Sequence, residues 1–144
     1  MAKLKVMVAL RGPESAESLV ALACQVAGGM DAELLALHVV EIPMATPIEA
    51  DDEVLDRPGK ALLALAQQCA ETRFSRKIST RLLRARRAGE AIVGEVQEQG
   101  IECLVMGHQR RTVVGEILLG SNVQYVARHA PCRVIVEIPP LPSP

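Results

Sequence analysis

The 144-residue chain has no tryptophan, one phenylalanine (Phe74) and one tyrosine (Tyr125). Stacking bases on a sheet face or in a groove needs aromatic rings, so this scarcity argues against a single-stranded nucleic-acid partner. The formal net charge is -1, which removes the basic field that would draw the chain to nucleic acid or to an anionic membrane. No apolar run approaches the roughly 20 residues needed to cross a bilayer, and no membrane insertion is expected. The start, MAKLKVMVALRGP, is basic, but its apolar stretch is too short for a secretion signal and lacks a small-residue cleavage site. These absences point to a cytoplasmic protein.

Organised cysteine chemistry is also missing. Cys24, Cys69, Cys103 and Cys132 are scattered, with no C-x-x-C and no zinc spacing to the three histidines. They read as reduced thiols in or near the core. A Walker A loop, a nucleophile elbow and a His-Glu-x-x-His helix are all absent, so no catalytic residue and no metal ligand is assigned.

What the chain does have is alternation. KLKVMVAL (3–10) is a short apolar run ended by Arg11-Gly12-Pro13, as a buried strand followed by a turn would be. Apolar residues at 16, 19, 20, 23, 26 and 27 then predict a helix that Gly28-Gly29 stops. AELLALHVV (32–40) is a second buried run, followed by a loop with an acidic patch at 49–53. Pro58 is expected to open a helix to about Thr72, and Lys77 to Leu83 alternates like an edge strand. A helix from Ala88 to Gln99 capped by Gly100, a strand from Ile101 to Met106, a helix from Ser121 to Ala130 and a strand CRVIVEI (132–138) complete the series. The chain reads as one domain over 1–144, with a core at 3–138 and a Pro-rich tail, PPLPSP, at 139–144. Doubly apolar strands alternating with amphipathic helices predict a doubly wound α/β fold: a parallel sheet with helices on both faces.

Ligands of such folds bind beyond the carboxyl ends of the strands, where the winding reverses. For a strand order of 3-2-1-4-5, that point lies between Ala9-Leu10-Arg11 and Met106-Gly107. There begins MGHQRRTVVGEILLGS (106–121). Gly107 allows close approach of a ligand to the backbone. Ser121 can cap a helix whose free N–H groups favour an anion, and Ile117 to Leu119 can anchor the loop. The same pattern also fits an ordinary strand-to-helix connection. Arg84, Arg86, Arg87 and Arg111 follow strand ends on this side and could form a basic rim, or be solvated singly. His38, in an apolar strand, reads as a core histidine satisfied by the backbone. His108 reads as a loop residue that touches a ligand or water, and His129 as a cation near a helix C-terminus.

Over residues 3 to about 138 the chain resembles the universal stress protein family. The resemblance is carried by KVMVAL, by ALHVVE and above all by ILLGS through APCRVIV. It implies a five-stranded parallel sheet of order 3-2-1-4-5, a homodimer formed through the last strand (Cys132 to Ile138), and an adenine nucleotide (ATP, ADP or AMP), with or without Mg2+. The nucleotide-binding pattern G-x2-G-x9-G-[ST] maps onto Gly107, Arg110 and Gly120-Ser121, with Arg110 replacing the middle glycine. Arg11 stands where the binding members carry an Asp that contacts the adenosine. Val39 and Met106 match positions that meet the base. The implied binding set is Ala9, Arg11, Val39, Met106, Gly107, Arg110, Gly120, Ser121 and Asn122. Arg110 either blocks the phosphate site or gives it a guanidinium. The leading expectation is a regulatory nucleotide-binding protein of the stress response. The alternative is an interaction module that binds no nucleotide, for example one regulating a membrane transporter, to whose associated domains the stretch RGPESAESL is similar. A slow ATPase is the least supported, since no residue is evidently placed to activate water.

Overall fold

The computed structural model describes residues 3–49, 53–108, 112–113, 116–117 and 119–140. In chain order the elements are β1 (Lys5–Ala9), α1 (Ala16–Met30), β2 (Glu33–Glu41), α2 (Glu53–Phe74), β3 (Ser79–Ala85) and α3 (Ala88–Gln99). Then come β4 (Cys103–Gly107), the short strands β5 (Thr112–Val113) and β6 (Glu116–Ile117), α4 (Ser121–His129) and β7 (Arg133–Glu137). Five strands form a parallel sheet of order β3-β2-β1-β4-β7, the 3-2-1-4-5 order expected.

The centre of the sheet is apolar on both faces because both faces are covered. Val6, Met7 and Val8 of β1 are all fully buried. Val6 and Val8 face α1 and α2, in a core with Leu19, Val20, Leu63 and Ala66. Met7 faces the opposite way, joining Leu37, Leu104, Val96 and Val126 beneath α3 and α4. The first two crossovers thus pack on one face and the last two on the other. This reversal places the carboxyl ends of β1 and β4 side by side, with Ala9 in register with Met106.

Several boundaries differ from expectation. A 3-10 turn over Pro13–Ser15 precedes α1, which runs through Gly28-Gly29 and ends at Asp31, in the left-handed region at φ 50. Asp tolerates that conformation and supplies the cap expected of glycine. Pro58 lies inside α2 and does not open it. The additional N-terminal turn is held by buried Asp56, which accepts from Arg84 Nε of β3 at 3.0 Å. Gly100 caps α3 as expected, at φ 65. A hairpin, β5 paired antiparallel with β6, interrupts the connection expected between β4 and α4. Its strands left a partial signal: Thr112-Val113 and Ile117 are β-branched residues suited to a strand. The acidic residues Asp51 and Asp52, and the tail from 141, lie outside the described residues.

The edge strand β3 is fastened on both faces. Arg84 pairs with Asp56 of α2, and Arg81 pairs with Glu95 of α3. Among the described residues, no helix is long and apolar enough to cross a membrane.

Candidate functional site

A cleft of about 490 Å³ opens at the carboxyl end of the sheet, above α3 and α4. Its walls include Arg11 after β1, Glu41 at the end of β2, Arg87 and Glu90 at the start of α3, and Ser121, Asn122 and Tyr125 of α4. A second lobe of about 440 Å³ adjoins it, bounded by Ile42, Pro43, Met44 and Arg86. Glu41 and Arg87 border both lobes.

The N-terminus of α4 is open. Gly120 is its N-cap, at φ -66 and ψ 162, with no side chain of its own to cap the helix, and among the described residues no other side chain bonds the first N–H groups. Ser121 is therefore the first helical residue, and the capping expected of it is not made. The first N–H groups of an uncapped helix have no intrahelical acceptor and carry the positive end of its dipole. The corresponding end of α3 is engaged. Gly89 N donates to Asn122 Oδ1 at 3.0 Å. A Cβ on Gly89 would stand 3.2 Å from Tyr125 Cβ and 3.3 Å from Asn122 Oδ1, so glycine permits this close helix approach.

The expected binding residues separate into three groups. Arg11, Ser121 and Asn122 border the cleft. Ala9, Val39 and Met106 pack with the hydrophobic cluster beneath α3 and α4, Met106 being only 5% exposed, and none of the three borders the cleft. Gly107 and Gly120 serve close packing and the helix start. A Cβ on Gly107 would meet Leu19 Cδ1 at 3.0 Å, which explains a small residue where β4 passes α1. Gly120 has an extended backbone open to any residue, with His108 Cε1 3.8 Å from where a Cβ would be. Arg110 lies outside the described residues, as does Arg111.

The basic rim is smaller than the sequence suggested. Arg84 is committed to Asp56, and Arg86 to the carbonyls of Ile42 and Pro43 and, at 2.7 Å, of Thr46. Among the described residues of that set, Arg87 borders the first lobe beside Arg11, and Arg86 bounds only the second lobe. The guanidinium groups of Arg11 and Arg87 form no hydrogen bond or ion pair among the described residues. Sequence reasoning did not single out Glu41, Gly89, Glu90 or Tyr125. The available signal was position alone: Glu41 ends a strand, and Gly89 and Glu90 open a helix.

The histidines and thiols play quieter parts. His38 Nδ1 lies 2.7 Å from Leu10 O, so that nitrogen carries the proton, as a satisfied core histidine requires. His108 is buried, with Gly120 N at 3.5 Å from its Nδ1, and it does not face open water as one reading allowed. His129 lies in the last turn of α4, its ring 4.3 Å from that of Tyr125. Leu119, expected to anchor the loop, is 41% exposed. Cys24, Cys69 and Cys103 are buried and unpaired, and Cys132 is partly buried. Burial pushes the Cys24, Cys103 and Cys132 thiols up, away from reactive thiolate. Hydrogen bonding from Arg84 holds the Asp56 carboxyl below its ordinary value, against the opposing effect of desolvation. Among the described residues, no group of three or more His, Cys, Asp or Glu could hold a metal ion.

Comparison with known proteins gives this geometry a lineage. The Universal stress protein family profile matches residues 4–137. A universal stress protein of Methanocaldococcus jannaschii is 31% identical over 120 residues, covering 79% of this chain and 69% of that protein. A universal stress protein from Archaeoglobus fulgidus in complex with dAMP superposes with a TM-score of 0.73 at 20% identity, covering 94% of this chain and 98% of that one. A universal stress protein in complex with cAMP gives a TM-score of 0.70 at 24% identity, covering 96% and 98%. At those identities the structures establish the shared fold alone. The match across nearly the whole domain settles the lineage: the chain belongs to the universal stress protein family.

Proposed function

We propose that this protein binds an adenine mononucleotide (ATP, ADP or AMP, with or without Mg2+) and acts as a cytoplasmic regulator in the stress response, through binding rather than turnover. One observation carries the reading. Two guanidinium groups without partners among the described residues, Arg11 and Arg87, border the cleft onto which the uncapped N-terminus of α4 opens. Arginine and free helix N–H groups are complementary to phosphate. The dAMP and cAMP complexes of proteins with this fold support the choice of adenine nucleotides. Ser121 and Asn122 would meet the phosphates through their backbone, and Arg11 and Arg87 would flank them.

The rival is an interaction module acting on a protein partner such as a transporter. It is favoured by the position of Ala9, Val39 and Met106, which pack with the cluster beneath the helices and do not line the cleft where a base would need an apolar floor. A homodimer through β7 accompanies either reading. That strand pairs with β4 on one side only, and its Val134, Ile135 and Val136 are partly buried in the monomer.

Native mass spectrometry of freshly purified protein, with calorimetric titration of ATP and AMP, tests the choice. A bound adenine nucleotide, or a dissociation constant in the micromolar range or tighter, supports the first reading, and silence in both supports the second. Gly120→Leu should abolish binding with the fold retained. Unchanged affinity in that variant would remove α4 from the site.

A further inference from the structure

A nucleotide presents two kinds of polar group. Phosphate oxygens accept hydrogen bonds, whereas sugar hydroxyls donate them and need acceptors. Arg11 and Arg87 can only donate, and so can the free N–H groups of α4. The acceptors on the cleft wall are fewer. Asn122 Oδ1 already receives Gly89 N. The Ser121 hydroxyl stands on the first turn of α4, where the phosphates are expected. The Tyr125 side chain offers a single phenolic oxygen, and the acceptors with two oxygens are the carboxylates of Glu41 and Glu90.

Glu41 is the better held and the better placed. It is the last residue of β2, in register with Ala85 of β3, and Ile42 N extends that pairing by donating to Ala85 O at 2.8 Å. The loop just beyond is pinned by Arg86 to three of its carbonyls. A side chain on a backbone fixed from both sides is suited to a geometric task. Glu41 is exposed and borders both lobes of the cleft, and its carboxylate forms no hydrogen bond or ion pair among the described residues. Arg87 borders the same two lobes, so donor and acceptor face one volume.

We propose that Glu41 is the sugar-binding residue of this cleft, its two carboxylate oxygens accepting from the vicinal 2′ and 3′ hydroxyls of a ribonucleotide while Arg11 and Arg87 flank its phosphate. This assignment rests on the nucleotide reading above. Two oxygens in one plane match two cis hydroxyls, and removing one hydroxyl removes one charge-assisted bond. The cleft thereby selects ribonucleotides over deoxyribonucleotides.

The test is calorimetric titration of AMP and 2′-deoxy-AMP into the full chain, its Glu41→Gln variant and its Glu90→Gln variant, each first shown to unfold at the wild-type temperature. The wild type should bind AMP about tenfold more tightly than 2′-deoxy-AMP. Glu41→Gln should bring the two ligands to about equal affinity, chiefly by weakening AMP, and Glu90→Gln should keep the preference. Equal binding of both ligands by the wild type overturns the assignment and leaves nucleotide binding standing. A preference that survives in Glu41→Gln, or that disappears in Glu90→Gln instead, also overturns it. Failure of the wild type to bind either ligand overturns the nucleotide reading and this assignment with it.

Discussion

The buried face beside α2 and the open cleft at the carboxyl end treat charge in opposite ways, the buried charge under α3 being matched too, Glu95 with Arg81. Beside α2, the polar groups are closed on one another: Asp56 is buried against Arg84, and His38 is satisfied by the Leu10 carbonyl beneath Gly59. Beside α3 and α4, at the carboxyl end, Arg11, Glu41, Arg87 and Glu90 border a cleft without partners among the described residues. Burying a charge unpaired costs too much, so the first face had to match its charges. Charges kept in contact with water are under no such constraint and remain available to a ligand. The same residue types are paired where they are buried and stand open at the cleft, and the neighbours Arg86 and Arg87 show the divide within two positions.

The comparison can be broken or sharpened experimentally. Leu104→Ala, at a fully buried position under α3 and α4, should cost about 2–5 kcal/mol in denaturant unfolding. A smaller loss would mean that this side of the core is loosely packed. Gly59→Ala should cost about 1–3 kcal/mol, because its Cβ would fall 2.6 Å from His38 Cδ2 and 2.8 Å from Leu82 Cδ1. A neutral result would show that α2 stands off the sheet. Asn122→Ala should lose about 1 kcal/mol with the bond to Gly89, read from the same unfolding curves. Arg87→Ala should change stability by no more than about 0.5 kcal/mol while weakening nucleotide affinity in calorimetry. A stability loss equal to that of Asn122→Ala would place Arg87 with the structural arginines.

Acid should separate the faces as well. The Asp56 carboxyl titrates lower in the folded chain than its ordinary value of 3.8. Its contribution is therefore complete above that pH and fades as pH falls from there through the lowered folded value. The stability gap between the wild type and Asp56→Asn, measured by thermal unfolding, should narrow as pH drops below 3.8. A gap independent of pH would mean that the pair with Arg84 contributes nothing through its charge.

The fold was largely legible because burial leaves a pattern in sequence. KVMVA and CLVMG are continuous apolar runs since both faces of the central strands are covered, and Gly100 could be read as a helix cap from its place after an amphipathic run. The site was less legible because it depends on how elements meet. Arg84, Arg86 and Arg87 look alike in sequence, yet Asp56 takes the first and a loop of carbonyls takes the second. The partner of Arg84 lies 28 positions away on another element, beyond the reach of any local pattern. The start of α4 was readable from Gly120-Ser121, although Ser121 does not cap it, whereas the engagement of α3 through Asn122 and Gly89 was not readable, since those residues are 33 positions apart.

That last contact gives the cleft a direction. Two helices start beside one another, and by itself each would attract negative charge equally. Asn122 gives its oxygen to Gly89 N of α3, and among the described residues no side chain does the same for α4, so the two ends differ in how strongly they seek an anion. A molecule with a charged head and a neutral tail thus finds only one matching way round. Polarity of entry, usually attributed to the shape of a pocket, would on the proposed reading be biased by a single amide.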